Sequence, residues 1–259
     1  MFRCMAAETL VPTTAEEAAE LFGNGDGITV VAGGTILMPL ITAGAVSPAR
    51  ALLLHRSGLD TIESGNGVIR IGATTTLGAI AEGHEPLLAR FAREIADAEV
   101  RRAATVGGNL CASAGYSVQR GDLAAPLLAL GARVRSTGAG GERMEPLEDF
   151  LGSGEGRLVL SVEYDAGDHR VGAATMRRRH AHSYSIANAA VCDGSDGLRV
   201  AVSGVVSPAR RCPTVESSRN PDDVLSDVDP VDDALASAAY RREILPLLVR
   251  RALDELETA

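Results

Sequence analysis

The sequence predicts an α+β fold, and three observations carry that prediction. Near the N-terminus a strand-like segment, a glycine loop, a helical segment and a second strand-like segment follow one another, which is typical of a small parallel βαβ unit. Residues 59–83 contain strand-like pieces around a Gly-Asn-Gly turn, which is typical of antiparallel hairpins in a larger mixed or antiparallel sheet. Residues 240–257 read as an amphipathic helix that closes a C-terminal α/β domain.

Local signals assign the N-terminal elements. Thr14 and Glu17 have the spacing of a capping box, so a helix should begin directly after them. Residues 28–35 predict a buried strand that runs into a glycine loop. Residues 36–44 suit a helix, and residues 49–56 suit a second strand.

The remaining elements follow from hydrophobic spacing and turn residues. The predicted elements are a helical segment at 85–103, a strand, a turn and a short helix within 132–151, and strands at 157–164, 186–192 and 198–206. Residues 213–233 are rich in Pro, Ser and Asp, so we expect a solvated connector there.

Composition excludes several classes of protein. The chain has 259 residues, of which 46% are hydrophobic and 23% charged, as is typical of a globular protein with a substantial core. Its net charge of −9 disfavours nucleic acids and membrane surfaces as partners. No apolar run of about 18 residues and no export signal is apparent, so we expect a cytoplasmic protein.

The cysteines and basic residues exclude further chemistry. Four cysteines are scattered without a C-x-x-C pair, so no iron–sulfur or zinc site is predicted, and the thiols should be reduced and mostly buried. All 25 basic residues are arginine, which excludes Schiff-base chemistry and a P-loop lysine. No G-x-S-x-G motif supports a hydrolase.

Two glycine loops, at residues 30–37 and 105–109, are the candidate binding elements. Successive residues without a Cβ can turn their N–H groups toward one point and bind an anion, so two such nests suit a diphosphate. A helix N-terminus after the first loop would add a favourable dipole. The alternative interpretation is that Gly33-Gly34 and Gly107-Gly108 only form tight turns.

Four segments in order give a resemblance to a known family. They read A-G-G-T-x-L at 32–37, IGATTTLGAI at 71–80, TVGGNL at 105–110 and DLAAPLLALGA at 122–132. This order resembles the FAD-binding medium subunit of molybdenum hydroxylases, the xanthine dehydrogenase and carbon monoxide dehydrogenase family, over nearly the whole chain. The C-terminal segment around the closing helix is similar to the last helix of that subunit.

The resemblance implies a PCMH-type FAD-binding fold and a domain division. It implies an FAD-binding domain at 1–168, with subdomains 1–57 and 58–168 and the FAD between them. It implies a C-terminal medium-subunit domain at 169–259.

The resemblance also implies which residues bind FAD. Both glycine loops would clasp the diphosphate, Asp122 would bind the adenosine part, the backbone near Val159 would contact the flavin, and Arg177 stands where relatives commonly carry a lysine near the flavin ring. The implied residues are Val30, Val31, Ala32, Gly33, Gly34, Thr35, Ile36, Leu37, Thr105, Val106, Gly107, Gly108, Asn109, Asp122, Val159 and Arg177.

The function implied is electron transfer. An iron–sulfur partner subunit would reduce the flavin, which would pass electrons to NAD or another acceptor, while a molybdopterin subunit would complete a heterotrimer or a dimer of trimers. Two alternatives stay open: a stand-alone FAD-dependent oxidase or dehydrogenase of a small organic substrate, and a non-catalytic FAD-containing assembly subunit. The first is motivated by an unusual insert at 112–121, which lengthens the usual spacing between Asn109 and Asp122, and by a C-terminal domain that is short around 213–230.

Other candidates carry weaker patterns. Tyr116 and Tyr184 could stack on a flavin or belong to the core. His180 and His182 are spaced like metal ligands on a strand, but no acidic or cysteine cluster adjoins them, so we predict no metal site and place them near the flavin pocket. The arginines at 177–179 most simply form a solvated face.

Overall fold

A computed structural model describes residues 8–83, 85–113, 121–178 and 184–258 of the chain. These residues form three sheets, one parallel and two antiparallel, with helices packed against them. The predicted α+β class is confirmed.

The N-terminal unit is a small parallel βαβ arrangement. Its elements are β1 (Glu8–Leu10), α1 (Ala15–Phe22), β2 (Ile28–Val31), α2 (Leu37–Thr42) and β3 (Arg50–Leu53). The strands pair in the order β1-β3-β2, with Val30 opposite Leu52. Ala18 and Leu52 are buried in its small core, to which the strand at Leu158 and Leu160 also contributes. The unit is therefore fixed to the next sheet.

The N-terminus of α1 is capped as the sequence predicted, with one change of partner. Thr14 Oγ1 accepts a hydrogen bond from Glu17 N at 3.1 Å. The Glu17 carboxylate accepts from Thr13 N at 2.7 Å and not from Thr14 N. Both bonds satisfy donors that the first helical turn leaves open.

The middle unit is built on a five-stranded antiparallel sheet in the order β4-β5-β8-β6-β7. Its helices cover a core that contains Phe91, Leu110 and Leu127. Its elements are β4 (Ile62–Gly65), β5 (Val68–Gly72), α3 (Leu77–Ala81), α4 (Pro86–Glu94), α5 (Ala98–Ala103), α6 (Val106–Leu110), α7 (Ala124–Ala129), β6 (Arg133–Thr137), β7 (Arg143–Pro146), α8 (Leu147–Ser153) and β8 (Leu158–Asp165).

The helical segment predicted at 85–103 is two helices separated by a sharp turn. Ala96 has φ 49°, a left-handed conformation that a helix cannot continue. Asp97 then caps α5, with its Oδ1 accepting from Val100 N at 2.8 Å. Arg101 Nη1 donates to Ile95 O at 2.9 Å and to Ala96 O at 2.8 Å, which holds the turn closed.

The C-terminal unit is a four-stranded antiparallel sheet in the order β12-β11-β10-β9, covered by a long helix. Gly172 permits this helix to approach, since a Cβ there would lie 2.0 Å from Ala252 O. Its elements are β9 (Arg170–Arg177), β10 (Ser185–Gly194), β11 (Gly197–Ser203), β12 (Arg210–Arg211), α9 (Pro213–Ser218), α10 (Val224–Asp227) and α11 (Ala238–Thr258).

The prediction of a solvated connector at 213–233 is wrong. The segment forms α9, a short 3₁₀ turn and α10, and it buries Val215 and Val224 completely. Asp233 pairs at 2.7 Å with Arg241, whose side chain is fully buried. The polar composition concealed a few apolar residues whose burial against α11 and β11 orders the segment.

None of the helices in the described ranges is long and apolar enough to cross a membrane.

Candidate functional site

A cavity of about 510 Å³ lies between the first glycine loop, the middle unit and the start of β10. Pockets of this size are typical of small-molecule and cofactor sites. Its wall is formed by residues 29–37, Leu54, Ala73, Leu77, 95–97, Val100, 104–105, 107–109, 111–112, 121–122, 157–159 and Tyr184. The two predicted glycine loops therefore meet at one cavity.

The first glycine loop lines this cavity and has unused main-chain donors. Gly34 has φ +68°, a conformation that favours glycine, and a Cβ on Gly33 would lie 1.9 Å from Ala103 O. Within the described part of the chain, the N–H groups of residues 33–37 have no hydrogen-bond acceptor, whereas Met38 N donates to Gly34 O at 2.8 Å. A run of such donors fits an anionic ligand. Because α2 has only six residues, its dipole adds little to this.

The second glycine loop differs from the expected nest, because the N–H groups of residues 106–109 are already used. It forms the first turn of α6, with Thr105 as the N-cap. The acceptors are Thr75 O for Val106 at 3.0 Å, Ala73 O for Gly107 at 2.8 Å, Thr105 Oγ1 for Gly108 at 3.2 Å and Thr105 O for Asn109 at 2.8 Å. These glycines therefore allow neighbouring groups to approach the loop closely, but their N–H groups are not available to a ligand.

The two glycines of this loop face different surroundings. Gly107 is buried, and a Cβ there would lie 3.0 Å from both Cβ and O of Ala73. Gly108 is exposed, and a Cβ there would meet only Thr105 Oγ1, also at 3.0 Å. Gly107 thus lets α6 dock on the end of β5, while Gly108 leaves the cavity side of the loop bare.

Asn109 connects the second loop to the residues around Asp122. Its Oδ1 accepts a hydrogen bond from Leu123 N at 3.0 Å, across the insert in the sequence. Leu123 directly precedes α7, so the bond fixes the start of that helix beside the cavity. The structure therefore brings Asp122 to the same cavity as both glycine loops.

Asp122 is a buried carboxyl group at the cavity wall, with 7% of its surface exposed. Its Oδ2 accepts from Ser185 Oγ at 3.0 Å, and its Oδ1 accepts from Asn188 Nδ2 at 2.9 Å. Burial raises the pKa of Asp122 to about 6, because desolvation of the carboxylate outweighs these two hydrogen bonds. Both donors belong to β10, so the C-terminal unit takes part in the site.

Of the other predicted site residues, some lie at the cavity wall and some lie outside it. Val159 lies in β8 at the cavity wall, and Tyr184 lines the cavity with 37% of its surface exposed. Val106 is buried beneath the second loop, outside the wall. Arg177 also lies outside the wall and pairs with Glu94 at 2.7 Å, so its position beside a flavin stays a prediction.

Several weaker candidates lie outside the described residues, namely Tyr116, Arg179, His180, His182 and most of the insert. Of the other residues in the arginine run, Arg178 donates to Leu235 O at 2.7 Å. In the ranges that the structure describes, no group of three or more acidic, histidine or cysteine side chains could hold a metal ion. Cys192 and Cys212 are buried, as expected, whereas Cys111 is exposed.

Among the wall residues that the sequence did not predict, two parts bear most on the site. One is the turn at 95–97, which a continuous helical pattern concealed. The other is Arg157, which precedes β8 and has no motif around it. The left-handed Ala96 shows that backbone strain lies at the wall itself, where functional sites often store it.

Comparison with known proteins decides the family. The family described as "FAD binding domain in molybdopterin dehydrogenase" matches residues 5–163. The chain belongs to this family. The family match ends within β8, so it contains both glycine loops, Asp122 and Val159. The free amides of the first loop and the cavity beside them fit the diphosphate of FAD.

Several named proteins resemble the chain over almost its full length. It is 30% identical to the 6-hydroxypseudooxynicotine dehydrogenase complex subunit alpha of Paenarthrobacter nicotinovorans, covering 94% of this chain and 92% of the relative. It is 26% identical to the glyceraldehyde dehydrogenase medium chain of Sulfolobus acidocaldarius, covering 98% of each. Its fold matches a chain of carbon monoxide dehydrogenase from Hydrogenophaga pseudoflava with TM-score 0.84, 23% identity and 97% coverage of both chains. The predicted PCMH-type fold is thereby confirmed.

Proposed function

We propose that this chain is the electron-transferring flavin subunit of a molybdenum hydroxylase-type complex, which holds FAD in the cavity between its glycine loops. The observation that carries the proposal is the run of N–H groups at 33–37, which has no acceptor among the described residues and lines the cavity. When bound, FAD exchanges electrons singly or in pairs, and the protein supplies orientation and electrostatics.

The first loop binds the diphosphate through its main chain. Each N–H group carries a partial positive charge, and several of them together can bind an anion without a lysine or arginine on the loop. Gly33 lets the loop pack on the end of α5, and Gly34 supplies the left-handed turn. The loop is therefore shaped before the cofactor arrives, which reduces the entropy lost on binding.

The second loop and Asp122 hold the rest of the dinucleotide. Gly108 leaves the wall open to close approach by the ligand. Thr105 fixes the loop through a hydrogen bond within it, and Asn109 fixes it to Leu123. The carboxylate of Asp122 accepts hydrogen bonds from adenosine hydroxyl groups in addition to those from β10. Val159 contributes main chain at the flavin, and Arg177 supplies a cation near it.

The proposed partners are an iron–sulfur subunit and a molybdopterin subunit. Support comes from the relatives, which are named as subunits or medium chains of dehydrogenases. In this proposal the iron–sulfur subunit passes electrons to the flavin. NAD or another acceptor then takes them.

The proposed domain division follows the sheets. The FAD-binding domain is 1–168, with subdomains 1–57 and 58–168, and the C-terminal domain is 169–259. The first boundary falls between β3 and β4, and the second between β8 and β9, where the chain leaves one sheet for the next. The hydrogen bonds from Ser185 and Asn188 to Asp122 connect the two domains.

Two measurements test this function. The purified full chain should bind one FAD, seen as a flavin absorption spectrum and identified by mass after release. The complex isolated from its native cells should contain iron and molybdenum, and reduction of the flavin should require those partner chains. A chain that binds no FAD after reconstitution contradicts the site, whereas direct reduction of the isolated flavoprotein by a small substrate contradicts the subunit role.

A further inference from the structure

The turn at 95–97 is part of the cavity wall, and a side chain outside the wall holds it. Arg101 Nη1 donates to Ile95 O at 2.9 Å and to Ala96 O at 2.8 Å. Both acceptors belong to wall residues, whereas Arg101 does not line the cavity. One nitrogen of its guanidinium group therefore fixes two successive carbonyl groups of the wall.

These carbonyl groups follow the end of α4, where a helix leaves its last carbonyl oxygens without partners inside the helix. Ile95 N donates to Ala92 O at 3.2 Å, and the chain then turns at Ala96 with φ 49°. A residue with a Cβ adopts this left-handed conformation at a cost in free energy. The turn therefore depends on donors from other segments, and the negative end of the helix dipole favours an arginine there.

A second arginine approaches the same segment from the C-terminal unit. Arg177, at the end of β9, donates from Nη1 to Glu94 O at 3.4 Å, and its Nη2 pairs with the Glu94 carboxylate at 2.7 Å. The carbonyl groups of residues 94, 95 and 96 thus all accept hydrogen bonds from guanidinium groups. The segment that contains the wall turn is therefore bound both by α5 and by the C-terminal unit.

Helix α5 connects this turn to the first glycine loop. The helix begins after Asp97, whose carboxylate caps it, and a Cβ on Gly33 would lie 1.9 Å from Ala103 O at its other end. Val100 and Ala104 of the same segment line the cavity. A shift of α5 relative to the turn would therefore displace wall residues and the surface on which the first loop packs.

We propose that Arg101 is a positioning residue of the cofactor site, which holds the turn at 95–97 and the start of α5 in the geometry that binds the cofactor. The proposal rests on the proposed function, since FAD is the ligand. It adds a residue that acts through Ile95 and Ala96 and not by contact with the ligand.

A purely structural role makes a different prediction. If the two hydrogen bonds only stabilised the fold, their loss would lower the thermal midpoint and leave the dissociation constant for FAD unchanged at temperatures where the chain is folded. Two substitutions separate the roles further. Lysine at position 101 keeps several donors on one nitrogen, and glycine at position 96 adopts the left-handed turn without the cost that a Cβ imposes.

The test is the dissociation constant for FAD of the full chain, stripped of flavin and titrated well below the thermal midpoint. The variants are Arg101→Gln, Arg101→Lys, the double variant Arg101→Gln with Ala96→Gly and, as a matched control, Arg102→Gln. Arg102 is the next residue of the same helix, but it is exposed, lies outside the cavity wall and pairs with Glu99 at 2.7 Å. The thermal midpoint of each flavin-free variant monitors the fold.

We expect Arg101→Gln to weaken FAD binding by roughly tenfold, and Arg101→Lys and Arg102→Gln to bind within about twofold of the parent chain. The added glycine should recover most of the loss, because the turn then needs less support. The proposal would be overturned by an unchanged dissociation constant in Arg101→Gln, by equal weakening in Arg101→Lys or Arg102→Gln, or by a double variant that binds no better than the single one.

Failure to fold and failure of the proposed function are separate outcomes. If Arg101→Gln does not fold, Ala96→Val tests the same turn, and a dissociation constant equal to that of the parent chain would then overturn the proposal. If the parent chain itself bound no FAD, the proposed function would fail instead.

Discussion

Asp122 Oδ1 and Asn188 Nδ2 are joined by a hydrogen bond of 2.9 Å that connects the segment before α7 to β10 and lies beside the cofactor cavity. Asn188 is fully buried and also donates to Ser203 Oγ at 3.1 Å. The bond makes the C-terminal sheet part of the wall that carries Asp122. Asp122 therefore takes part both in the cavity wall and in the packing of the C-terminal sheet against it.

The first prediction concerns the pH dependence of stability. The pKa of Asp122 is about 6 in the folded protein against 3.8 for a free side chain, so the folded state binds more protons between those values. The contribution of Asp122 to the free energy of unfolding is consequently greatest below about pH 4, and it falls as the pH rises to about 6. Asp122→Asn removes the free-energy cost of burying the ionised carboxylate, which is about 3 kcal/mol at neutral pH.

Thermal unfolding of the flavin-free chain checks this prediction. The gain in melting temperature of Asp122→Asn over the parent should be larger near pH 8 than near pH 4, where the parent carboxyl is already neutral. The amide oxygen can accept from Asn188 Nδ2, and the amide nitrogen can donate to Ser185 Oγ once that hydroxyl turns to accept, so the shape of the site is retained. A gain that is the same at both pH values would mean that Asp122 titrates normally.

The second prediction concerns the bare surface of the second loop. Gly108→Val places a branched side chain at the exposed, cavity side of α6, so FAD should be lost from the purified chain by steric exclusion. Gly65→Val is the matched control, because Gly65 lies in an exposed strand with nothing within 4 Å of a Cβ. Flavin absorbance per chain is the measurement. Stoichiometric flavin in Gly108→Val would contradict the proposed site.

The third prediction concerns the buried ion pair of the C-terminal unit. Arg241 is fully buried and donates to Ile186 O, Val231 O and Ala236 O as well as to Asp233. Asp233→Ala leaves that charge without a counter-ion, so we expect a loss of about 3–5 kcal/mol in the free energy of unfolding.

Asp229→Ala is the control for this pair. Asp229 contacts Arg242 at the surface with 85% of its side chain exposed, and such pairs contribute about 0–1 kcal/mol. Denaturant unfolding of both variants gives the comparison. Equal stabilities would show that the Asp233 pair contributes no more than a surface contact.

The fourth prediction concerns the strained turn at the cavity wall. Ala96 has φ 49°, which glycine adopts without the cost that a Cβ imposes. Ala96→Gly should therefore hold or raise the melting temperature, whereas Ala96→Val should lower both the melting temperature and the affinity for FAD. A valine variant that behaves like the parent would mean that the turn relaxes without reaching the wall.

Most of the fold could be predicted because its signals are local. The strands and helix of the βαβ unit, the Thr14 cap and the closing helix each follow from spacing within a few residues. The errors have one physical cause. The left-handed Ala96 and the burial of Val215 and Val224 arise from contacts with distant elements, which override local composition.

The sequence by itself determined the family, the α+β class and the two glycine loops, since glycine's freedom at Gly33 and Gly34 is a property of the residue. Only the tertiary structure decided which amides stay available. The Gly107 and Gly108 donors are taken by Ala73 and Thr105, while those of 33–37 have no acceptor in the described part of the chain. It also placed Arg157 in the cavity wall and the β10 donors Ser185 and Asn188 beside Asp122, because hydrogen-bond partners depend on distances between segments that sequence spacing does not set.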